Sequence, residues 1–161
     1  LSPDGAIAAT GGNDGRVIIW NTVTGDELHI LEHGARIAIT EFDLAYQRLF
    51  IADERGEATI WDLTTGERIT DLKLGAYQQV ITAARFSSDG TRLLLGFPGR
   101  DVRLNDSANE RLLKTWRTPM RTHGWIPQGS TVYAVAFNDN ESSIVAESSN
   151  GLARAWAVGS N

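Results

Sequence analysis

Few residues in this chain have the type and spacing that chemistry requires. The chain contains no cysteine, so a disulfide framework is excluded and a reducing compartment is permitted. Three histidines are present, and no metal-ligand spacing relates them: His29, His33 and His123. No nucleophile is paired with a base along the sequence. We therefore expect no metal, no cofactor and no enzymatic activity.

Two short motifs have ligand-binding composition but are better explained as turns. Asp53, Glu54 and Glu57 form an acidic cluster, but it lacks the alternating spacing of a calcium loop. The favoured interpretation is a solvated turn. The segment 11–15 is rich in glycine, but it forms a hairpin motif and does not precede a helix. Phosphate binding is therefore disfavoured.

One spacing recurs four times along the chain. A hydrophobic residue before a turn is followed nineteen residues later by tryptophan or, once, by asparagine. The pairs are Leu1 with Trp20, Phe42 with Trp61, Phe86 with Asn105, and Phe137 with Trp156. Between them, short apolar and β-branched runs alternate with Gly, Asp and Asn turns, which indicates antiparallel strands. Repeats of about 40 to 45 residues that end in Trp-Asp are typical of propeller blades.

The first two copies contain the most distinctive motifs. Leu1-Ser2-Pro3-Asp4-Gly5 leads to Gly11-Gly12-Asn13-Asp14-Gly15-Arg16-Val17-Ile18-Ile19-Trp20-Asn21, and the second copy closes with Ile60-Trp61-Asp62-Leu63-Thr64-Thr65-Gly66. On these motifs the chain resembles the WD40 repeat family over nearly its whole length. The resemblance is specific for fold and says little about function, because one fold serves many functions.

The resemblance implies an all-β, WD40-type β-propeller fragment with four-stranded antiparallel blades. The blades divide as 1–31, 32–72, 73–116 and 130–161, with an inserted loop at 117–129. The first copy lacks its first strand and the last copy lacks its fourth. We therefore expect a piece of a longer propeller, whose open blade edges would permit self-association.

In this family a buried network links a Trp on a blade's third strand, a hydroxyl on its second, an Asp in the turn between them and a preceding His. The positions that match this network are Thr10, Asp14, Trp20, His33, Trp61 and Trp156. We expect Trp20 to pack between blades with its indole N–H near Thr10. In the second copy Ile51 and Arg55 replace the hydroxyl and the carboxylate. His33 is expected to be a structural hydrogen-bond donor.

The third and fourth copies are separated by an insertion. Asn105 and Trp156 lie 51 residues apart, against 41 and 44 for the earlier intervals. In a propeller this insertion would lie on the same rim as the turns between second and third strands, and such loops commonly carry function. The candidate partner-binding residues are Arg117, Arg121, His123 and Trp125 in the insertion, with Arg55, Glu54 and Arg100 in the turns. The alternative is that the insertion folds over a blade as a lid.

Charge is distributed unevenly along the chain. Residues 1–72 contain five Arg and thirteen Asp and Glu, whereas residues 73–161 contain ten Lys and Arg and seven acids. This balance disfavours nucleic acid as the main ligand. The segment 73–121 is the candidate surface for such contact, since it has nine basic and four acidic residues.

These observations favour a protein-interaction scaffold that presents its rim to other proteins or peptides in a larger complex. The alternative is a sensor or regulatory WD40 array attached to a nucleotide-binding or other catalytic domain outside this segment. No apolar run approaches the roughly 18 residues of a membrane span, and no signal peptide is visible. We therefore expect an intracellular protein, in the cytoplasm or nucleus, without membrane contact.

Overall fold

The computed structural model describes residues 1–45, 47–72, 80–109, 111–120, 122–123, 126–127 and 130–159. All regular structure within these residues is β, as the short β-branched runs predicted. The strands are β1 (Ile7–Gly11), β2 (Arg16–Asn21), β3 (Glu27–Glu32), β4 (Ile37–Phe42), β5 (Arg48–Asp53), β6 (Ala58–Asp62), β7 (Arg68–Leu72), β8 (Ala83–Phe86), β9 (Arg92–Gly96), β10 (Asp101–Asp106), β11 (Leu112–Arg117), β12 (Thr122–His123), β13 (Ile126–Pro127), β14 (Val132–Phe137), β15 (Ser143–Ser148) and β16 (Leu152–Ala157).

Consecutive strands pair antiparallel into four sheets, which are the blades of a propeller. In the described residues the first blade is β1-β2-β3 and the second is β4-β5-β6-β7. The third blade is β8-β9-β10-β11 and the fourth is β14-β15-β16. The all-β propeller architecture is therefore confirmed, with three described strands in the first and last sheets. The short hairpin β12-β13 lies inside the inserted segment and was not predicted.

The second strands of the second and third blades, β5 and β9, are buried on both faces where blades stack. In β5, the adjacent residues Leu49 and Phe50 are both 0% exposed. Successive side chains of a strand point to opposite faces of the sheet. Leu49 accordingly packs in the cluster shared with the first blade, and Phe50 packs in the cluster shared with the third. Continuous apolar runs in these strands follow from this double burial.

The hydrophobic core consists of three clusters, one between each pair of neighbouring blades. The first contains Val17, Ile19 and Leu31 against Leu49, Ile51 and Trp61. The second contains Phe50, Ala52 and Ile60 against Leu93, Leu95 and Phe97. The third contains Leu94, Val102, Leu104 and Trp116 against Val132, Ile144 and Ala146. Each fully buried aliphatic or aromatic side chain contributes about 1.5–3 kcal/mol, so these interfaces hold the blades together.

The Arg48 side chain reinforces the interface between the second and third blades from the start of β5. Arg48 donates from Nε to Asp43 Oδ2 at 2.9 Å and from Nη2 to the Gly90 carbonyl oxygen at 2.7 Å. Its guanidinium carbon also lies 5.4 Å from the centre of the Phe86 ring in the third blade. Because Gly90 and Phe86 belong to the next blade, Arg48 fixes the turn between the first two strands of that blade.

The Trp20 side chain lies on the face of the first blade that points away from the second blade. Trp20 was expected between two blades, but it is half-buried and lies opposite Ala8 in the register of β1 and β2. Val17 and Ile19 pack towards the second blade. Since successive side chains of a strand point to opposite faces, Trp20, the residue after Ile19, points to the other face. Trp20 therefore does not pack between two of the described blades, and its packing between blades stays a prediction.

Candidate functional site

The candidate site is the propeller rim where second strands turn into third strands. Backbone hydrogen bonds join each of these turns to the segment that connects neighbouring blades. His33 N–H donates to the Gly15 carbonyl at 2.9 Å, and Glu54 N–H donates to the Arg36 carbonyl at 2.9 Å. In the third blade, Thr118 N–H donates to the Arg100 carbonyl at 2.9 Å. We call the surface formed by these turns and connections the rim.

The second blade contains a complete buried hydrogen-bond relay beneath the rim. Trp61 Nε1–H donates to Thr59 Oγ1 at 2.7 Å, and Thr59 Oγ1 lies 3.0 Å from His33 Nδ1. Because Nε2 faces two oxygen acceptors, the favoured His33 tautomer has its proton on Nε2, and Nδ1 then accepts the Thr59 hydroxyl hydrogen. Nε2 lies 3.3 Å from the Glu57 carbonyl oxygen and 3.7 Å from Asp53 Oδ2.

This relay corrects the prediction that Ile51 and Arg55 had displaced the hydroxyl and the carboxylate. The hydroxyl is supplied by Thr59, which stands directly opposite Ile51 in the register of β5 and β6. The carboxylate is supplied by Asp53, which is 0% exposed and accepts the N–H groups of Arg55 and Glu57 at 2.9 Å each. Asp53 is therefore a structural residue and not part of a solvated acidic cluster.

The His33 ring is held by groups of the second blade. Its side chain is 1% exposed, and both ring nitrogens face groups of the second blade. It couples the end of the first blade to the turn of the second.

The first blade contains a shorter version of the same arrangement. Trp20 Nε1–H donates to Thr10 Oγ1 at 2.7 Å, which is the predicted bond, but the pair lies in an exposed environment. Asp14 accepts the Arg16 N–H at 3.2 Å and the Arg16 Nε–H at 2.7 Å. These Arg16 contacts lower the pKa of the Asp14 carboxyl from its usual value. Asp14 therefore caps its own turn.

The fourth blade anchors the beginning of the insertion. Ser148 Oγ–H donates to Asn150 Oδ1 at 2.8 Å, and Asn150 Nδ2–H donates to the Pro119 carbonyl at 2.9 Å. Trp156 is half-buried in the cluster shared with the third blade. Asn150 thus fixes a segment 31 residues earlier in the chain.

Two predicted partner-binding residues come together at the rim between the third and fourth blades. Arg117 has an exposed fraction of 67%, and its Nε–H donates to Asp101 Oδ1 at 2.7 Å. Arg100 has a left-handed backbone, with φ of 80°, and donates from Nη1 to the Thr118 carbonyl at 3.2 Å. Met120, which was not predicted, is 44% exposed beside them in sequence. The surface therefore combines cationic and apolar contacts.

The structure describes some of the other predicted partner-binding residues and leaves others outside the described residues. Arg55 and Glu54 are exposed in the turn of the second blade, on the same rim. The backbone of His123 belongs to β12, but its side chain lies outside the described residues. Arg121 and Trp125 also lie outside the described residues, so their role in binding stays a prediction.

The described residues contain no group of three or more His, Cys, Asp or Glu side chains arranged to hold a metal ion. In the same part of the chain, no helix has the length and apolar character of a membrane span.

Comparison with known proteins agrees with the blade architecture. Residues 1–21 match the WD40 family, described as WD domain, G-beta repeat. The chain is 31% identical over 121 residues to small ribosomal subunit protein RACK1z of Arabidopsis thaliana, which covers 65% of this chain and 37% of the relative. It is 29% identical over 114 residues to small ribosomal subunit protein RACK1 of Caenorhabditis elegans, covering 65% of this chain and 34% of the relative. The chain thus spans about a third of the length of these relatives.

A solved structure shows the same fold. The crystal structure of the computationally designed Ika4 protein aligns with a TM-score of 0.72 and 23% sequence identity. The alignment covers 96% of this chain and 86% of the designed protein. The repeat motifs, the four sheets and these similarities together show a likeness to the WD40 repeat family.

Proposed function

We propose that this WD40 chain is a protein-interaction scaffold that contacts other proteins of an intracellular assembly through its rim. The rim is built from short turns tied to inter-blade segments by backbone hydrogen bonds, so its side chains project from a rigid base. Arg100, Arg117, Arg55 and Glu54 are the proposed contact residues that the structure describes. The proposed blade boundaries are 1–31, 32–72, 73–116 and 130–161, with the insertion at 117–129.

The proposal rests on the first residues of the insertion, which hydrogen bonds hold in place. Thr118 is buried and bonded to Arg100, and the Pro119 carbonyl is held by Asn150 of the next blade. Arg117 and Met120, on either side of this anchor, are exposed. Arginine and methionine are both enriched at protein interfaces. Two bonded turns thus hold exposed residues of suitable chemistry in place before any partner arrives, which reduces the entropy lost on binding.

The ribosome is the first assembly to examine. The relatives from Arabidopsis thaliana and Caenorhabditis elegans are named as small ribosomal subunit proteins. We propose that this chain associates with a comparable cytoplasmic particle, and that protein contacts at the rim dominate that association. The basic segment 73–121 provides the competing hypothesis of RNA contact, which predicts strong weakening of the association by salt.

A pair of double variants at the two ends of β11 tests the proposal. Arg117→Ser with Met120→Ser alters the rim end, while Arg111→Ser with Leu112→Ser alters the opposite end. All four residues are exposed, so both variants should keep the fold. The tagged chain would be added to Arabidopsis thaliana extract, and its fraction sedimenting with small ribosomal subunits would be measured together with its cross-linked proteins.

We expect the rim variant to capture at least about fivefold less partner than the unaltered chain, since interface residues that dominate binding contribute more than about 1 kcal/mol each. The control variant should bind as the unaltered chain does. Equal capture by the two variants would refute a role for this rim segment. Release by ribonuclease, without loss in the rim variant, would favour the RNA hypothesis. The alternative of a sensor array attached to a nucleotide-binding domain stays a prediction about sequence outside this segment.

A further inference from the structure

The last strands of the first three blades lie at the edges of their sheets. In the described residues, β3, β7 and β11 each have one strand neighbour, which is β2, β6 or β10. The N–H and C=O groups on the other side of such a strand are available to a strand from another molecule. Opposite charges across two strands favour pairing and like charges disfavour it. The side chains of each edge thus determine its partner.

The edge formed by β3 and the residue before it is acidic and partly apolar. Residues 26–32 contain three carboxylates and no Lys or Arg. The three carboxylate side chains are exposed, and they are those of Asp26, Glu27 and Glu32. Between them, Leu28 and Ile30 are 44% and 50% exposed. We call this surface, residues 26–32, the acidic edge.

Two arginines neighbour the acidic edge, and each is bonded to a carboxylate elsewhere. Arg16 stands opposite Glu32 in the register of β2 and β3, but its Nη2 lies 2.6 Å from Asp14 Oδ2. Arg68 donates from Nη2 to the Glu32 carbonyl at 3.4 Å and from Nη1 to Asp71 Oδ1 at 3.0 Å. Within the described residues, the three carboxylates of the acidic edge form no ion pair. The acidic edge therefore keeps its negative charge.

The edge formed by β11 and the residues before it has the opposite charge. Residues 110–117 contain one carboxylate, that of Glu110, and three cations. The cations are Arg111, Lys114 and Arg117. Leu112 and Leu113 are 52% and 37% exposed, and open space of about 290 Å³ lies against them. We call residues 111–117 the basic edge.

Arg111 differs from the other cations of the basic edge. Arg117 Nε–H donates to Asp101 Oδ1 at 2.7 Å, and Lys114 Nζ donates to the Val158 carbonyl at 2.6 Å. Among the residues that the structure describes, none forms an ion pair or a side-chain hydrogen bond with the Arg111 guanidinium. The start of the basic edge thus presents an exposed positive charge beside exposed leucines.

Antiparallel pairing of the two edges brings Glu32 and Arg111 together. The Asn21 N–H donates to the Asp26 carbonyl and the Asp106 N–H donates to the Arg111 carbonyl, both at 2.9 Å. Asp26 and Arg111 therefore occupy the same position in their blades, one residue before the last strand. β3 and β11 both have six residues. When they run antiparallel, the end of β3 at Glu32 lies next to Arg111.

Pairing between identical edges is disfavoured by charge. Two acidic edges side by side would bring carboxylates together, and two basic edges would bring guanidiniums together, which destabilises a strand pair. β7 differs from both edges, because its Arg68 and Asp71 neutralise each other at 3.0 Å. Complementary charge therefore selects the combination of β3 with β11.

We infer that β3 of one copy of this chain pairs antiparallel with β11 of a second copy, through the acidic edge of one and the basic edge of the other. The exposed aliphatic side chains of both edges lose contact with water in this pairing, which adds an apolar contribution. Each pair of copies keeps one free acidic edge and one free basic edge, so the association continues beyond a dimer. The contact goes beyond the proposed function, because it uses the sides of the blades and leaves the turns of the rim free.

Sedimentation equilibrium of the full chain tests this inference. We expect the weight-average mass to rise with protein concentration at low salt, past the mass of a dimer. Added salt should lower that mass, because exposed complementary charges are screened. A mass that stays at that of the monomer up to millimolar concentration would overturn the inference.

Two charge reversals locate the contact on the edges. Glu32→Arg and Arg111→Glu should each weaken the association at least about tenfold, because like charges then face each other. An equal mixture of the two variants should associate again, since Glu32 of one variant meets Arg111 of the other, and the two reversed positions also match. Recovery on mixing distinguishes a charge effect from misfolding. Glu54→Arg and Arg55→Glu change the net charge by the same amounts at exposed rim positions, and they should leave the association unchanged.

Failure of the mixture to associate, or equal weakening by edge and control variants, would refute the pairing of β3 with β11. The double variants of the proposed function keep the two proposals apart. Arg111→Ser with Leu112→Ser should lose self-association and keep partner capture, whereas Arg117→Ser with Met120→Ser should do the reverse. If the first double variant keeps its self-association, the edge inference fails and the rim proposal is unaffected. If the second keeps its partner capture, the rim proposal fails and the edge inference stands.

Discussion

Replacement of Thr59 by valine isolates the hydroxyl at the centre of the buried relay. Thr59 Oγ1 accepts the Trp61 indole hydrogen at 2.7 Å and lies 3.0 Å from His33 Nδ1. Thr59 is 3% exposed, Trp61 is 8% exposed and His33 is 6% exposed. Valine has nearly the same shape and also favours β-strands. Thr59→Val therefore removes two hydrogen bonds while the packing volume is kept.

The expected cost follows from the two polar groups left without partners. Each buried donor or acceptor that loses its only partner costs about 1–3 kcal/mol. The added methyl group recovers about 0.8 kcal/mol of apolar burial. We therefore expect Thr59→Val to lower the free energy of unfolding by about 2–4 kcal/mol. The first blade offers a matched control, because Trp20 donates to Thr10 Oγ1 at the same 2.7 Å in an exposed environment. Water can replace that hydroxyl, so Thr10→Val should cost less than about 1 kcal/mol.

Urea denaturation followed by far-ultraviolet circular dichroism would measure both variants. A third variant, Thr59→Val with Trp61→Phe, removes the indole donor as well as its acceptor. If the relay is real, Thr59→Val should cost about 1–2 kcal/mol less in the Trp61→Phe background than in the unaltered chain. Equal losses for Thr59→Val and Thr10→Val would refute the reasoning, because burial would then not govern the strength of the bond.

Two further predictions concern turns of the first and third blades. Gly5→Ala and Gly90→Ala both place a Cβ on a left-handed backbone, but at Gly90 the new atom also collides with the Arg48 guanidinium. Gly90→Ala should therefore cost about 1–3 kcal/mol more than Gly5→Ala in thermal or urea unfolding, and equal costs would contradict this. The Ser87 hydroxyl bond lowers the pKa of Asp89 to about 2 from 3.8. The lowered folded-state pKa stabilises the protein above about pH 4 and is lost as the pH falls towards 2. Ser87→Ala should raise the Asp89 midpoint towards 3.8 in an NMR titration, and an unchanged midpoint would exclude the bond as the cause.

The propeller architecture could be predicted because strand lengths and turn lengths are conserved between the blades. The nineteen-residue interval from Phe42, the last residue of β4, to Trp61 in β6 spans two strands, β5 and β6, and two turns. Such spacing survives the substitution of individual residues, as Asn105 shows in the third blade. Asn105 is 3% exposed and still pairs with Leu93 in β9. The spacing between repeat positions is therefore a stronger signal of the blades than the residue type at each position.

The relay in the second blade was missed for a related physical reason. A comparison position by position looks for the hydroxyl on β5, where Ile51 stands. The hairpin register places Thr59 directly across from Ile51, so a hydroxyl on either strand occupies the same region of the blade. The carboxylate likewise comes from a different position, Asp53, which is the last residue of β5. Pairing residues across the predicted hairpin would have found Thr59, whereas the contact between Asn150 and Pro119 depends on blade packing and leaves no such signal.

The contrast between Trp20 and Trp61 shows how far the local sequence determines what a hydrogen bond contributes to stability. Both residues lie at the same position of the repeat, and both donate an indole hydrogen bond of 2.7 Å to a threonine hydroxyl. The sequence motif thus specifies the bond. Trp61 is buried against the first blade, whereas Trp20 lies on a face without a described neighbour. Since an unmade hydrogen bond is costly only where water is excluded, the blade that packs against each tryptophan decides what its bond contributes.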